Sequence, residues 1–355
     1  MSSPNGTPTN AASAPPVRFK DERIEMSHGA GGKATRRLVE GLIAPLLHNP
    51  TLAQLGDAAV LDLGGTRVAL TADSFVVSPL RFPGGSIGEL AVHGTVNDLA
   101  VGGARPRALL CTLVVEAGLE GTVLRAELEA LAEATRQCGV EVVGGDTKVV
   151  ENGKADGVYI TTAGLGVVDE RLSLDAGSVR AGDRVILSGP IGDHGITILL
   201  ARGELDLEAD LQSDTRAVWP FVDALAEAVG PGVRWMRDPT RGGVASALNE
   251  LARETGLGIV LEEAALPVRG PVRGACEILG LDPLHIANEG QFLAVVAADH
   301  ADTALDAIRS VPGGAEAVVV GDVVETPARR VLTKSSYGGT RVVDMLIGDP
   351  LPRIC

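Results

Sequence analysis

At 355 residues the chain exceeds the size at which a single core keeps growing, so two domains are expected. A hydrophobic content of 45% with 22% charged residues is that of a globular protein, and the net charge of −15 argues against nucleic acid or an anionic membrane as partners, since either needs a basic face. No stretch approaches the roughly 18 apolar residues of a membrane span, and residues 1–16 hold neither a charged side chain nor a run of signal-peptide length. A soluble, cytoplasmic protein is therefore expected.

Residues 1–20 read as a disordered extension, rich at first in Ser, Pro, Asn, Ala and Thr. Ser27-His28-Gly29-Ala30-Gly31-Gly32-Lys33 then leads into a helical pattern through Leu38, Leu42 and Ile43. A glycine-rich loop feeding a helix can turn backbone N–H groups toward a phosphate. It is neither a Walker A loop nor G-x-G-x-x-G after a strand, and it reads equally as a flexible turn. Ala58–Leu63 and Arg67–Asp73, separated by Gly64-Gly65, predict a hairpin with Asp57 just before it and Asp73 at its end.

Ser86–Gly103 predicts a helix whose last turns carry Asn97 and Asp98, a costly pair on a buried side unless it binds something. Strand Ala108–Val115, helix Val123–Gly139 and strand Glu141–Val143 follow, the last stopping at Gly144-Gly145-Asp146-Thr147-Lys148, and then strand Val158–Ala163. Asp57, Asp73, Asp98 and Asp146 thus stand at element ends. If they converge they suit a divalent cation of the Mg²⁺ type with substrate phosphates; otherwise they are solvated turn residues.

The pattern restarts with the buried strand beginning at Arg184, which places a domain boundary near residue 175. Helices are predicted over 194–203, 215–229, 242–256, 270–280 and 301–310, and strands over 258–262, 291–297, 316–324, 331–332 and 341–343. Ala287-Asn288-Glu289-Gly290-Gln291 is a polar break in an apolar context. Cys111, Cys138 and Cys276 form no metal-spaced or disulfide pattern, and Cys111 and Cys276 read as inert core thiols. Cys355 differs. It ends an arm containing Pro350 and Pro352, which reads as stiff, extended and exposed, able to carry its thiol into a pocket, or else as a frayed end that happens to finish in Cys.

These motifs resemble those of the HypE family of hydrogenase maturation proteins, within the superfamily of aminoimidazole ribonucleotide synthetase, selenophosphate synthetase and thiamine-monophosphate kinase. The resemblance covers roughly residues 22–355 and rests on His28–Gly32, Gly56-Asp57, Thr71–Ser74, Val96–Ala100, Gly144–Lys148, Gly192–Gly195, Arg237–Gly243, Asn288–Gly290 and, most specifically, Pro352-Arg353-Ile354-Cys355. Other superfamily members phosphorylate free small molecules and need no thiol at this end, and where selenophosphate synthetase carries its reactive residue this chain has only His28.

The resemblance implies an α/β (α+β) two-domain fold: an N-terminal ATP-binding domain at 21–175, a C-terminal α/β domain at 176–344 and a flexible tail at 345–355. Two N-terminal domains would join in a homodimer through a shared β-barrel. ATP would bind His28, Gly29, Gly31, Gly32, Asp57, Asp73, Asn97, Asp98 and Asp146, with Mg²⁺ on the four aspartates. The implied reaction is dehydration of a carbamoyl group on Cys355 to a thiocyanate, with Lys148 and Glu289 near the proton transfer. The carbamoyltransferase HypF would load the tail and a HypC–HypD scaffold would receive the cyanide for an iron centre.

Overall fold

The computed structural model describes residues 17–203, 209–348, 351 and 353–355. Of the expected disordered extension, residues 1–16 lie outside the described residues, as do Pro350 and Pro352 of the arm. Residues 17–20 are not loose: the Phe19 ring stands edge-on to His28, with centroids 5.6 Å apart.

In the first half, α1 (Lys33–Leu38) passes through a wider π-type turn (Val39–Ile43) into α2 (Ala44–Leu46). There follow β1 (Ala59–Leu63), β2 (Thr66–Phe75), the short β3 (Arg81–Phe82) and β4 (Gly85–Ser86), α3 (Ile87–Val101), β5 (Ala104–Glu116), α4 (Gly121–Cys138), β6 (Glu141–Val150) and β7 (Val158–Val168). The five-stranded sheet has the order β1-β2-β7-β5-β6. Its inner face packs under α3 and α4 through Leu90, Val96, Leu109, Leu131 and Ile160. The outer face leaves Leu70, Leu110 and Leu165 exposed.

The second half contains β8 (Arg184–Leu187), α5 (Asp193–Ala201), α6 (Trp219–Ala228), β9 (Val233–Arg237), α7 (Gly243–Thr255), β10 (Gly258–Glu262), α8 (Gly270–Leu279), β11 (Leu293–Val296), α9 (Ala301–Ser310), β12 (Val318–Val324), β13 (Val331–Lys334) and β14 (Thr340–Val343). Its seven strands run β14-β13-β10-β12-β8-β11-β9. One face packs against α7 through Val244, Leu248 and Leu251. The other packs against α6 and α9 through Phe221, Leu225 and Ile308, which explains why β8 and β11 read as continuous apolar runs. No helix among the described residues is long and apolar enough to cross a membrane.

Three differences from the sequence reading have physical reasons. β6 does not stop at Gly144 but runs to Val150, because it pairs in parallel with β5 as far as Glu116. A Cβ at Gly145 would lie 1.7 Å from the Cys111 carbonyl oxygen, so only glycine allows that approach. β9 was not foreseen, and α6 starts at Trp219 rather than 215 because residues 213–218 are held by bonds to the first domain. Finally, the tail is not an exposed arm: Leu351, Ile354 and Cys355 are buried in a core that also holds Phe75 and Val77 of the first half and Ile196, Val272 and Ile286 of the second.

α3 is buried almost all round, between the first sheet and the second half. Gly94 lets the Phe75 ring lie against it, since a Cβ there would come within 2.7 Å of the ring. Gly94→Ala is expected to destabilise the chain by about 1–3 kcal/mol, the usual range for overpacking. A urea midpoint at the wild-type value would contradict this packing.

Candidate active site

Asp57 precedes β1, Asp98 lies in the last turn of α3, and Asp238 follows β9 directly. One carboxylate oxygen from each lies within 4.8 Å of the others. The Thr71 hydroxyl donates to Asp98 Oδ2 at 2.8 Å, and the Arg237 guanidinium is shared between Asp57 (3.0 Å) and Glu250 (3.0 Å). Burial pushes the Asp57 carboxyl up to about 6 against the pull of Arg237. Asp98 is held well above the carboxylate range by burial and by repulsion from Asp238 and Asp57, and Asp238 likewise by burial and Asp57. Asp73, on β2, adds to this negative field, opposed by Arg241 at 3.7 Å. A trio of hard oxygen donors in a shielded place, with Asp98 raised by both of the others, fits a divalent cation such as Mg²⁺.

Asp146 is not brought to this trio within one chain. Asp73 and Gly145 share a row across β2, β7, β5 and β6, which at about 4.8 Å per strand puts them roughly 14 Å apart. Asp146 instead pairs with Lys148 at 2.5 Å on the open edge strand, both exposed. Lys148 and Glu289 therefore do not meet in a single chain.

The glycine-rich loop packs against the second half. A Cβ on Gly31, at φ +73°, would lie 2.3 Å from the Arg241 carbonyl oxygen, and one on Gly32 2.4 Å from that of Leu346. Arg241 donates to the Gly29 carbonyl (2.9 Å) and the Ser246 hydroxyl to that of Gly31 (3.0 Å). Two expectations are corrected here. The Gly31 N–H is already held by Thr35 Oγ1 at 2.9 Å. The His28 ring faces the N-terminal segment: Nδ1 accepts from the Glu25 N–H, so Nε2 carries the proton and donates to Asp21 at 3.0 Å.

Asn97, expected beside the aspartates, instead ties the halves together. Its amide donates to the carbonyls of Arg216 (2.9 Å) and Glu289 (3.0 Å), and its oxygen accepts from the Val218 N–H (2.8 Å). Glu289 is buried, and its N–H donates to Asp214 Oδ1 at 3.0 Å. Burial raises its carboxyl well above the usual range, with Asp238, Asp73 and Asp214 adding repulsion. It therefore holds a proton readily.

Cys355 is 7% exposed and lines a cavity of about 510 Å³ together with Gly29, Ala30, Val76 and Arg241. Its main-chain oxygen accepts from the Val76 N–H at 3.0 Å. Burial raises the Cys111 thiol and pushes those of Cys138 and Cys276 up to about 11, which disfavours their thiolates. Sequence reasoning missed Asp238 as a member of the trio, although it stands in the quoted Arg237–Gly243 motif. An aspartate between a buried strand and a glycine-led helix was the available signal. Asp214 gave none.

Two family models match the chain: the AIR synthase related protein N-terminal domain over residues 55–168 and its C-terminal domain over 180–334. The chain is 52% identical to carbamoyl dehydratase HypE of Azotobacter vinelandii over 337 residues, 95% of this chain and 98% of that one. It is similar to a hydrogenase maturation protein HypE solved in complex with ATP, with 41% identity and a TM-score of 0.78, covering 93% of this chain and 99% of that one. A HypE–HypF complex gives 40% identity and a TM-score of 0.83, covering 87% and 99%.

The raised carboxyls make metal-free stability depend on pH. A carboxyl whose folded value lies above its unfolded one binds more protons when folded, so stability is highest below the unfolded value near 3.8 and falls as pH rises through the folded one. For Asp57 that window runs from 3.8 to about 6, and Asp98 and Asp238 are raised in the same direction. In EDTA the melting temperature should fall from pH 5 to pH 8, and Mg²⁺ should flatten the slope. A slope identical with and without Mg²⁺ would argue against a cation on this trio.

Proposed function

The chain belongs to the HypE family of carbamoyl dehydratases of hydrogenase maturation, and from that premise we propose that it dehydrates a carbamoyl group carried on its own Cys355 to a thiocyanate, at the expense of ATP. The observation that carries this reading is the seat of Cys355, buried against the glycine-rich loop in a cavity of about 510 Å³. On this reading residues 21–175 bind nucleotide, 176–344 close over it, and 345–355 are the reacting tail.

A thiocarbamate, S–C(=O)–NH₂, does not expel hydroxide at a useful rate. Phosphoryl transfer from ATP to its carbonyl oxygen replaces that leaving group by phosphate. Loss of phosphate, which carries off one N–H proton, and transfer of the other to a base then leave S–C≡N, with ADP and hydrogen phosphate as the other products. Asp57, Asp98 and Asp238 would hold Mg²⁺, with Asp73 beside them, and the cation would offset charge developing on the phosphates. Glu289 is the proton acceptor on this reading, because a buried carboxylate among like charges has raised proton affinity. Gly29 and Gly32 would contact ATP through their backbone, Gly31 would shape the loop, and His28 and Asn97 would act by holding the loop and Glu289 in place.

Asp146 and Lys148 lie on an edge strand with the apolar outer face beside it, and we assign that surface to a second copy of the chain. A homodimer covers it, and only across the subunit boundary can these two residues serve a nucleotide site. Outside the dimer, HypF would load Cys355 in the cytoplasm and a HypC–HypD scaffold would take the cyanide.

Two outcomes are expected. Light scattering at micromolar concentration should give a dimer, and Leu110→Lys should shift it toward monomer; a monomeric wild type would refute the assembly. Intact-protein mass spectrometry should show that Cys355→Ala takes up no carbamoyl group, whereas Glu289→Gln is carbamoylated but retains the water that wild type loses on addition of ATP. A Cys355→Ala protein that still acquired and dehydrated an adduct would overturn the reading.

A further inference from the structure

The Gly192-Asp193-His194-Gly195 turn plays no part in the reaction described above, yet each residue bears on the tail or on the turn's own shape. Gly192, at φ +88°, caps the N-terminus of α5, and a Cβ there would strike Val272 at 2.7 Å. Asp193 is fixed by Arg269 at 2.8 Å. His194 is fully buried, and its Nε2 lies 2.6 Å from the carbonyl oxygen of Ile354, the main-chain group immediately before Cys355. A Cβ on Gly195 would lie 3.2 Å from a Leu351 methyl and 2.6 Å from Ile286, so glycine keeps this face low where the tail crosses it.

The protonation of His194 follows from its partners. A carbonyl only accepts, so Nε2 carries the hydrogen. Burial pulls the imidazole down to about 4, so near neutrality Nδ1 is a bare acceptor, and the Ser213 hydroxyl donates to it at 2.8 Å. Ser213 Oγ in turn accepts from the Thr215 N–H at 3.1 Å, and the Ser213 N–H donates to the Pro83 carbonyl at 2.9 Å. The neighbouring Asp214 is the residue that accepts the Glu289 N–H. One short segment thus orients the imidazole holding the tail and the main chain of Glu289.

We propose that His194 is a positioning residue for the reaction: together with Gly195 it receives the tail, and through Ser213 and Asp214 it sets the docked Cys355 in register with Glu289. The second clause rests on the reading of Cys355 as carrier; the first does not. Arg202 reinforces the docking from the other side, donating to the carbonyls of Arg353 (2.8 Å) and Ser78 (3.0 Å).

Docking is read without any chemistry by the rate at which a maleimide labels Cys355 in the full-length protein, mapped by peptide mass spectrometry. His194→Phe keeps an aromatic ring but removes the donor, and it should label about tenfold faster, the change expected for loss of one hydrogen bond, with Mg–ATP binding unchanged. His194→Gln retains an N–H donor and should recover most of the protection, which a merely structural role would not predict. Should His194→Phe not fold, Ser213→Ala removes the group that orients the imidazole and should speed labelling in the same direction. Folded His194→Phe protein labelled at the wild-type rate, or His194→Gln labelled as fast as His194→Phe, would overturn the proposal. Faster labelling with undiminished dehydration of preloaded Cys355 would overturn its register clause and leave the carrier reading standing.

Discussion

Three carboxylates cannot share a shielded pocket as anions without a countercharge, and the position of Asp57, Asp98 and Asp238 makes that constraint organise the chain. Two come from the first half and one from the second, so whatever neutralises them also holds the halves together. Arg237 does part of this, but it is divided between Asp57 and Glu250. Burial first, and repulsion from neighbouring carboxylates second, leave raised carboxyls on all three aspartates and on Glu289. A divalent cation relieves that repulsion, and phosphate oxygens can then approach a site that would otherwise repel them.

The tail obeys a different balance. Burying Leu351 and Ile354 stabilises docking by roughly 3–6 kcal/mol, while ordering a few residues of chain costs a comparable sum at about 1–2 kcal/mol each. The main-chain bonds to Val76 and His194, with those between Arg353 and Arg202, Val76 and Ser78, add to the docked side within that narrow margin. On the reading proposed above, a segment so nearly balanced leaves for a partner enzyme and returns, which a strand in the middle of a sheet cannot do.

Most helices and strands were legible because their apolar periodicity is strong, as in α4 and α7, or because continuous apolar runs mark buried strands, as in β8 and β11. Errors arose where a non-local partner decides. Gly144-Gly145 reads as a strand end, yet β5 supplies the pairing that carries β6 through it. Residues 215–218 read as helix, yet Asn97 takes the Val218 N–H. The site was legible as a set of residue types but not as a geometry. Asp238 was quoted in a motif without a role, His28 turned out to serve Asp21, and Cys355 sits inside the core rather than on an arm. The first and last depend on contacts more than a hundred residues apart, whereas His28 turns to a residue only seven positions before it, inside a segment that composition reads as loose.

Asp146 and Lys148 show where one chain falls short. On the reading proposed here both belong to the nucleotide site, yet they lie roughly 14 Å across the sheet from Asp73, beyond the span of either side chain. No rearrangement within the sheet closes that gap, because β7 and β5 stand between and are hydrogen-bonded along their length. Moving the residues would mean breaking the sheet, whereas adding a second copy requires only that an exposed edge and an apolar face be covered. The second route removes a liability where the first creates one. Assembly and catalysis would then be one requirement, with the surface that makes a lone chain association-prone also carrying the residues its partner lacks.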